Sequence, residues 1–590
     1  MNQITKAGSA SRLWLRALEA VSVVEQDHSL TFGAVLNDLA DLYGENTALI
    51  DEEKSLTYRE LAVCSNRYTR WARSKDFPPG TVVALLMRNC AEYVAIWAGL
   101  SAAGYTVALI NTNLTGPALT HAIRVAHCHA IIVEAALHDE FRAVSGELSV
   151  DAYMHGAVQS SSAPRVDLEI LSHSGRRPKA SGLPEKPALL IYTSGTTGLP
   201  KAAKVSHARV LQWSYWFAGL MEAEETDKIY NCLPMYHSTG GICAIGALLV
   251  RGGSVIIRRR FSGSRFWQDI VETRATIFQY IGELCRYLLQ VPQDSYEALH
   301  GLRLCSGNGL REDVWRVFEQ RFRIPRILEF YAATEGSISL YNCDGKPGAI
   351  GRIPGFLAHR FPMALVQFNP DTGEHLRGES GYCLPCAAGE VGEALGLLDP
   401  ENLAAGQRFE GYLDSALSSG KIARNVFREG DLWYRTGDLM RRDKEGFYYF
   451  VDRLGDTFRW KGENVSAAEV ASVIAACPGI VDAVVFGVKL PHHEGQAGMA
   501  AIATDENFDI AKLWAHIHRR LPSYACPVFI RRCTAIDRTG TFKLSAGKLK
   551  AEGYLQATGG DLWFDDRKSQ SYVPFSGELQ STLETGALRI

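Results

Sequence analysis

Short apolar runs of strand length alternate along this chain with longer stretches of helical character. Residues 81–87 (Thr-Val-Val-Ala-Leu-Leu-Met) read as a strand, 91–103 as a helix, 105–110 as a strand, 116–126 as a helix and 130–134 as a strand. Such alternation predicts parallel α/β units. The stretch 90–110 comes nearest to a membrane span, but Glu92 and Gly104 interrupt it, and it reads better as helix, turn and strand in a buried core. A polar Ser/Pro/Gly-rich connection over 160–186 marks a lobe boundary, and Ala188-Leu-Leu-Ile-Tyr192 follows it as a short buried strand. Alternation resumes over 228–340, and a Gly-rich region of shorter, β-like elements covers 348–450. The polar link Asp452-Arg-Leu-Gly-Asp456 separates it from a compact final segment. The expected fold class is α/β: a large multi-lobed N-terminal domain over 1–452 with mainly parallel sheets, a hinge at 453–456, and a small α+β domain over 457–560. Residues 561–590 are read as a polar tail without clear periodicity. No repeat of fixed period is visible.

Composition narrows the function classes. At 590 residues and 46% hydrophobic, the chain can bury a large core and exceeds what one core usually supports. A formal net charge of -3 gives no argument for a nucleic-acid partner. The basic clusters Arg258-Arg-Arg260 and Arg519-Arg520 read as solvated faces, with contact to ligand phosphates or anionic lipid as the alternative. Thirteen scattered cysteines form no disulfide framework and fit a reducing compartment. The isolated Cys383-x-x-Cys386 lacks a second pair at zinc-site spacing. Lys6, Arg12, Arg16 and Glu19 interrupt any signal-peptide core, so a cytoplasmic protein, or one peripheral on a membrane, is expected.

The candidate chemistry begins at Ile191-Tyr-Thr-Ser-Gly-Thr-Thr-Gly-Leu-Pro-Lys201. Gly195 and Gly198 would let the backbone turn tightly and aim N–H groups at an anion, while Thr193, Ser194, Thr196 and Thr197 add hydroxyls and Lys201 a charge. A polar surface turn is the plain alternative. The spacing matches neither the common NTPase loop nor the dinucleotide fingerprint. The string resembles the signature of the adenylate-forming superfamily, which includes acyl-CoA synthetases, luciferases and peptide-synthetase adenylation domains.

Five other segments extend the resemblance. Phe330-Tyr-Ala-Ala-Thr-Glu-Gly336 follows a strand-like run, and a carboxylate at a strand end can hold Mg²⁺ on a triphosphate. Its likeness to the superfamily motif implies that Tyr331 stacks on adenine, Thr334 meets phosphate and Glu335 holds the metal. Ser306-Gly-Asn-Gly-Leu310 resembles the adenine-pocket turn, implicating Gly307, Asn308 and Gly309. Leu233-Pro-Met-Tyr-His-Ser-Thr-Gly-Gly241 resembles the segment that flanks the acyl carboxylate, which implicates His237, although a core or turn histidine is the plain reading. Asp438 of Tyr434-Arg-Thr-Gly-Asp438 can accept two ribose hydroxyls, and with Arg453 it resembles the ribose-binding aspartate and hinge arginine. Asp537-Arg-Thr-Gly-Thr-Phe-Lys543 resembles the motif whose lysine bridges carboxylate and α-phosphate; Lys548 is the rival, because Phe542 stands where a glycine is usual.

Residues 110–114, 261–267, 278–287 and 452–464 resemble the fatty-acid transport protein and very-long-chain acyl-CoA synthetase branch. That resemblance implies a fatty acid, ATP and CoA as substrates, with Mg²⁺. It assigns Arg459, Lys461 and Gly462 to a thioester-forming arrangement and makes the small domain mobile about Gly455 and Asp456. A spanning helix is not expected, and peripheral membrane contact stays open. Two alternatives also stay open: a CoA ligase for a bile acid, carnitine-like or secondary-metabolite acid, or a fatty-acid transport or binding protein with reduced catalysis.

Overall fold

The computed structural model describes residues 9–27, 29–159, 161–179, 186–194, 200–369, 372–398, 409–454, 456–461, 463–493, 495–538, 544, 546–554 and 561–585. By contact density the chain divides into two compact units: residues 1–362 with 397–423, and residues 363–396 with 424–590.

Among the described residues, the first unit carries two large sheets. One runs in the order Asp151–His155, Cys128–Glu134, Val82–Leu86, Thr106–Leu109, Pro187–Ser194 and Pro200–Ser206. It is parallel except for its last pair, a hairpin. The other runs in the order Ser339–Asn342, Ile327–Ala332, Leu304–Asn308, Ile277–Ile281, Lys228–Asn231, Ser254–Ile257, Thr47–Ile50 and Ser55–Thr57. Its interior is parallel and both edges are antiparallel. The predicted elements from 81 to 134 and at 188–192 are present, with ends within two residues of those expected.

Period-2 alternation on buried strands explains the layers. Val83, Leu85, Val107 and Leu109 of one sheet and Ile229, Val255, Ile277 and Leu304 of the other join a single core with the helices Phe32–Tyr43, Ala91–Ala102 and His207–Met221. The opposite faces pack on separate helices: Ala84, Ala108 and Ile131 against Gly116–Val125, and Tyr230, Phe278 and Cys305 against Glu312–Phe322. Helix Ala91–Ala102 is buried on nearly every side, which explains why 90–110 is so apolar. Its Glu92 is tolerated because Lys54 Nζ lies 2.6 Å away and the Tyr68 hydroxyl donates to it at 2.8 Å. Gly104, at φ +97°, makes the predicted turn before strand Thr106–Leu109.

In the second unit, Leu432–Arg442 pairs antiparallel with Phe447–Arg453, and Met363–Val366 with Val391–Leu397. A five-stranded sheet follows in the order Ile480–Val488, Ala497–Thr504, Phe529–Cys533, Leu562–Asp566 and Ser571–Pro574, with helices Ala467–Ala475 and Ile510–Arg520. Phe564, Tyr572 and Leu583 belong to its core, so residues 562–584, read from sequence as a tail, are part of this sheet layer. Asp565 is buried there because Trp514 Nε1 donates to it at 2.8 Å and His518 Nε2 lies 3.2 Å away. Local periodicity cannot register such a strand, since the strand that joins it to the sheet, Phe529–Cys533, and the side chains that face Asp565 lie more than 30 residues earlier.

Candidate functional site

The first unit gathers several predicted residues at strand ends, where open α/β sheets bind ligands. The hairpin of Pro187–Ser194 and Pro200–Ser206 sets Thr193 directly opposite Lys201 and Ser194 opposite Pro200. Gly195, Thr196, Thr197 and Gly198 lie outside the described residues. Downstream of that hairpin the chain returns as a bridge. Lys204 N–H donates to Gly411 O at 3.0 Å, and Leu413 N–H donates to Ala202 O at 2.9 Å.

That bridge carries Tyr412, whose hydroxyl donates to Glu335 Oε1 at 2.6 Å in a buried setting. Arg209, also buried, donates from Nη1 to the carbonyls of Thr334 at 2.9 Å and Gly336 at 3.0 Å, clasping the turn on both sides of Glu335. Its Nε lies 3.4 Å from Glu410 Oε1, and Glu410 in turn accepts from Ser206 N–H at 2.7 Å and Ser206 Oγ at 2.6 Å. Ser238 Oγ stands 3.3 Å from Thr334 Oγ1, which brings the His237 segment to the same turn. Arg209, Glu410 and Tyr412 had no motif to mark them. A buried arginine that spans two carbonyls is visible only after folding.

The segment Leu233–Gly241 is shaped by two buried asparagines. Asn89 accepts from Met235 N–H at 2.9 Å and donates to Leu233 O at 2.8 Å; Asn231 donates to Gly240 O at 2.8 Å. Gly241 N–H donates to His237 O at 2.7 Å. A Cβ on Gly241 would lie 1.9 Å from Met235 O, so the close backbone approach requires glycine. The His237 ring packs 4.6 Å from that of Tyr236.

Strand Leu304–Asn308 ends in the expected turn. Gly309 has φ +80°, a Cβ on Gly307 would stand 2.2 Å from Tyr280 O, and a Cβ on Gly282 would stand 1.9 Å from Gly309 O. Glu329, two residues before Tyr331 on the neighbouring strand, accepts from Gly309 N–H at 2.5 Å and Leu310 N–H at 3.1 Å on Oε1. Its Oε2 lies 2.5 Å from the Tyr280 hydroxyl. Tyr331 is half-buried beside this turn's strand.

In the second unit, Asp438 and Arg453 are cross-strand partners, with Arg453 Nε 3.3 Å from Asp438 Oδ1. Gly437, at φ +75°, precedes the aspartate, and Glu393 Oε1 accepts its N–H at 3.1 Å. Burial pushes the Glu393 carboxyl up, but His375 Nε2 at 2.6 Å and the Arg435 guanidinium outweigh it and hold the carboxyl below its ordinary range. Asp438 N–H donates to Thr436 Oγ1 at 2.9 Å, and Thr436 donates to Ala394 O at 2.8 Å. Asp452 accepts from Ser466 Oγ and Ala468 N–H at the start of helix Ala467–Ala475. Arg459 lies on Phe458–Trp460. Lys461 follows at φ +53°, exposed, 5.9 Å over the Trp460 ring. Burial, with Arg567 nearby, lowers the Lys461 ammonium below its ordinary value. Gly455, Gly462 and Lys543 lie outside the described residues; the rival Lys548 is exposed on helix Gly547–Glu552. Burial pushes the Cys386 thiol up to about 11, and raises that of Cys383 as well.

Glu335 suits a hard cation: one carboxylate with phosphate oxygens and water is an ordinary Mg²⁺ environment. Among the described residues no group of three or more metal-ligating side chains competes for that role.

Comparison with known proteins fits this geometry. The family model described as AMP-binding enzyme matches residues 36–390, and that described as AMP-binding enzyme C-terminal domain matches residues 469–543. A long-chain fatty acid transport protein 1 from Mus musculus is 38% identical over 569 residues, covering 94% of this chain and 88% of the relative. A very long-chain fatty acid transport protein from Cochliobolus heterostrophus is 36% identical, covering 89% of this chain and 83% of the relative. An anthranilate CoA ligase solved with anthranoyl-AMP shares the fold at a TM-score of 0.77 and 20% identity, over 90% of this chain and 99% of its own. The chain therefore belongs to the AMP-binding enzyme family, among the relatives named long-chain and very long-chain fatty acid transport proteins.

Proposed function

We propose that the chain is an acid–thiol ligase that activates a long or very long fatty acid with ATP and transfers it to CoA. The reading is supported by one convergence: the half-buried Thr334 and buried Glu335, tied to Arg209, Ser238 and Tyr412, in a chain whose relatives carry fatty acids in their names.

In the first half-reaction a carboxylate oxygen of the acid attacks the α-phosphorus of ATP. The new O–P bond forms as the bond to the β-phosphate oxygen breaks, and pyrophosphate leaves. Charge grows on the α-phosphoryl oxygens and the leaving group, so fixed donors and cations supply the rate enhancement and no side-chain nucleophile is required. In this scheme Thr193, Ser194, Gly195, Thr196, Thr197, Gly198 and Lys201 hold the phosphates. Thr334 donates to a phosphate oxygen, and Gly307, Asn308, Gly309 and Tyr331 take the base. Asp438, steadied by Arg453, accepts the ribose hydroxyls. Glu335 would hold Mg²⁺, which when bound neutralises phosphate charge. His237 orients the acid, and Lys543 supplies the cation at the α-phosphate. In the second half-reaction the CoA thiolate attacks the acyl carbon and AMP leaves, with Arg459, Lys461 and Gly462 on the thiol side.

No helix among the described residues is long and apolar enough to cross a membrane. If the chain contributes to fatty-acid uptake, esterification traps the acid. Pyrophosphate exchange into ATP across a panel of acids, then repeated with CoA, tests the reading. Exchange with long-chain acids and thioester formation with CoA are expected, whereas folded protein inert towards every acid would defeat it.

A further inference from the structure

Glu329 is a fully buried carboxyl that the scheme above leaves without a task. Among the described residues, its side-chain hydrogen bonds lead to the turn 307–310, through the N–H groups of Gly309 and Leu310, and to Tyr280, whose backbone oxygen abuts Gly307. The same turn is pinned from its other side by Gly282. A buried polar group is retained against its desolvation cost only where its hydrogen bonds are satisfied, and here two of the three go to one backbone turn and the third to Tyr280.

We propose that Glu329 is a positioning residue for the nucleotide base. It accepts two backbone N–H groups on one oxygen and the Tyr280 hydroxyl on the other, fixing the turn against which the base docks. The proposal rests on the reading that Gly307, Asn308, Gly309 and Tyr331 hold the nucleotide. The titratable groups around it are the Tyr280 hydroxyl on Ile277–Ile281, the Cys305 thiol on Leu304–Asn308 and the Cys285 thiol on Gly282–Gln290. Burial raises each of the three above its ordinary range. Across the edge strand Ser339–Asn342 its partner is Asn342, which carries no charge. Burial pushes the Glu329 carboxyl up to about 8, against the opposing pull of Tyr280 and the two N–H groups.

Glu329→Gln keeps an acceptor oxygen for the two N–H groups, and Glu329→Leu removes the clasp. KM for ATP and KM for the acid are measured separately by pyrophosphate exchange, alongside binding of a non-hydrolysable ATP analogue. Glu329→Gln should keep KM for ATP near the wild-type value. Glu329→Leu should raise KM for ATP about tenfold with KM for the acid little changed, the worth of one or two lost hydrogen bonds. The proposal is overturned if Glu329→Gln raises KM for ATP as far as Glu329→Leu does, or if Glu329→Leu moves both KM values together or neither. Should Glu329→Leu fail to fold, Tyr280→Phe, which removes the third hydrogen bond to the carboxyl, decides: KM for ATP should rise with KM for the acid unchanged, and no rise overturns the proposal. A wild type inert in exchange would defeat the ligase reading instead, and analogue binding would still judge Glu329.

Discussion

The hydroxyl of Tyr412 donates to Glu335 across 77 positions of sequence, and the bond is buried. It fixes the carboxylate that would face the metal, from a segment carrying no recognisable motif. Tyr412→Phe should lower kcat/KM for exchange about tenfold and shift the Mg²⁺ titration to higher concentration, with little change in melting temperature. Glu335→Gln should cost far more. An unchanged Mg²⁺ titration in Tyr412→Phe would remove the tyrosine from this role.

Arg209 joins the Thr334–Gly336 turn to Glu410 while almost fully buried. Arg209→Met leaves Glu410 without this cation and the two carbonyls without these donors, at a cost of about 3–5 kcal/mol. Arg209→Lys keeps the charge but not the fork, and should raise KM for ATP with a smaller loss of stability. Urea denaturation and exchange kinetics on both variants separate the two effects; equal stability across all three proteins would contradict the assignment.

Ribose recognition gives a sharper test of Asp438. Asp438→Ala should raise KM for ATP by about 10- to 100-fold, as expected for hydrogen bonds to a charged acceptor. With 2′-deoxy-ATP the penalty should shrink, because one partner hydroxyl is already missing. Equal penalties with both nucleotides would move Asp438 away from the sugar.

Stability at mild acid should report on His207. Burial outweighs a backbone hydrogen bond with Ser101 and lowers its imidazole from 6.5 to about 4. With the folded value below the unfolded one, the unfolded chain binds the proton more readily. The contribution is whole above about pH 6.5 and is lost as pH falls from there through about 4, up to about 3 kcal/mol in total. Denaturation of wild type and His207→Gln at pH 7.5 and 4.5 checks this: the variant should lose less, and parallel losses would refute it.

Gly241→Ala places a methyl 1.9 Å from Met235 O, so the backbone must move. A loss of about 1–3 kcal/mol in stability is expected, together with a fall in exchange activity as the His237 segment shifts. Full activity in a folded variant would detach that segment from the reaction.

Much of this was legible beforehand because the signals are local. The run Ala188–Tyr192 is apolar enough to be a buried strand, and the alternation from 81 to 134 admits few other readings. Strands at 562–566 and 571–574 escaped because Asp565 and Asp566 break the apolar pattern, and Asp565 becomes tolerable only once Trp514 and His518 face it.

The sequence by itself determined the type of chemistry through its resemblance to the adenylate-forming superfamily, which is legible because phosphate cradles, strand-end carboxylates and tight glycine turns occur as contiguous strings with fixed spacing. It also determined the α/β class, because hydrophobic periodicity is a property of neighbours along the chain. Only the tertiary structure decided which groups hold those strings in place: Tyr412 on Glu335, Arg209 on Thr334 and Gly336, Glu329 on Gly309, and Glu393 on Gly437. These are single side chains meeting backbone or carboxyl groups from distant segments. Burial strengthens such hydrogen bonds and selects their partners, and burial exists only after the chain has folded.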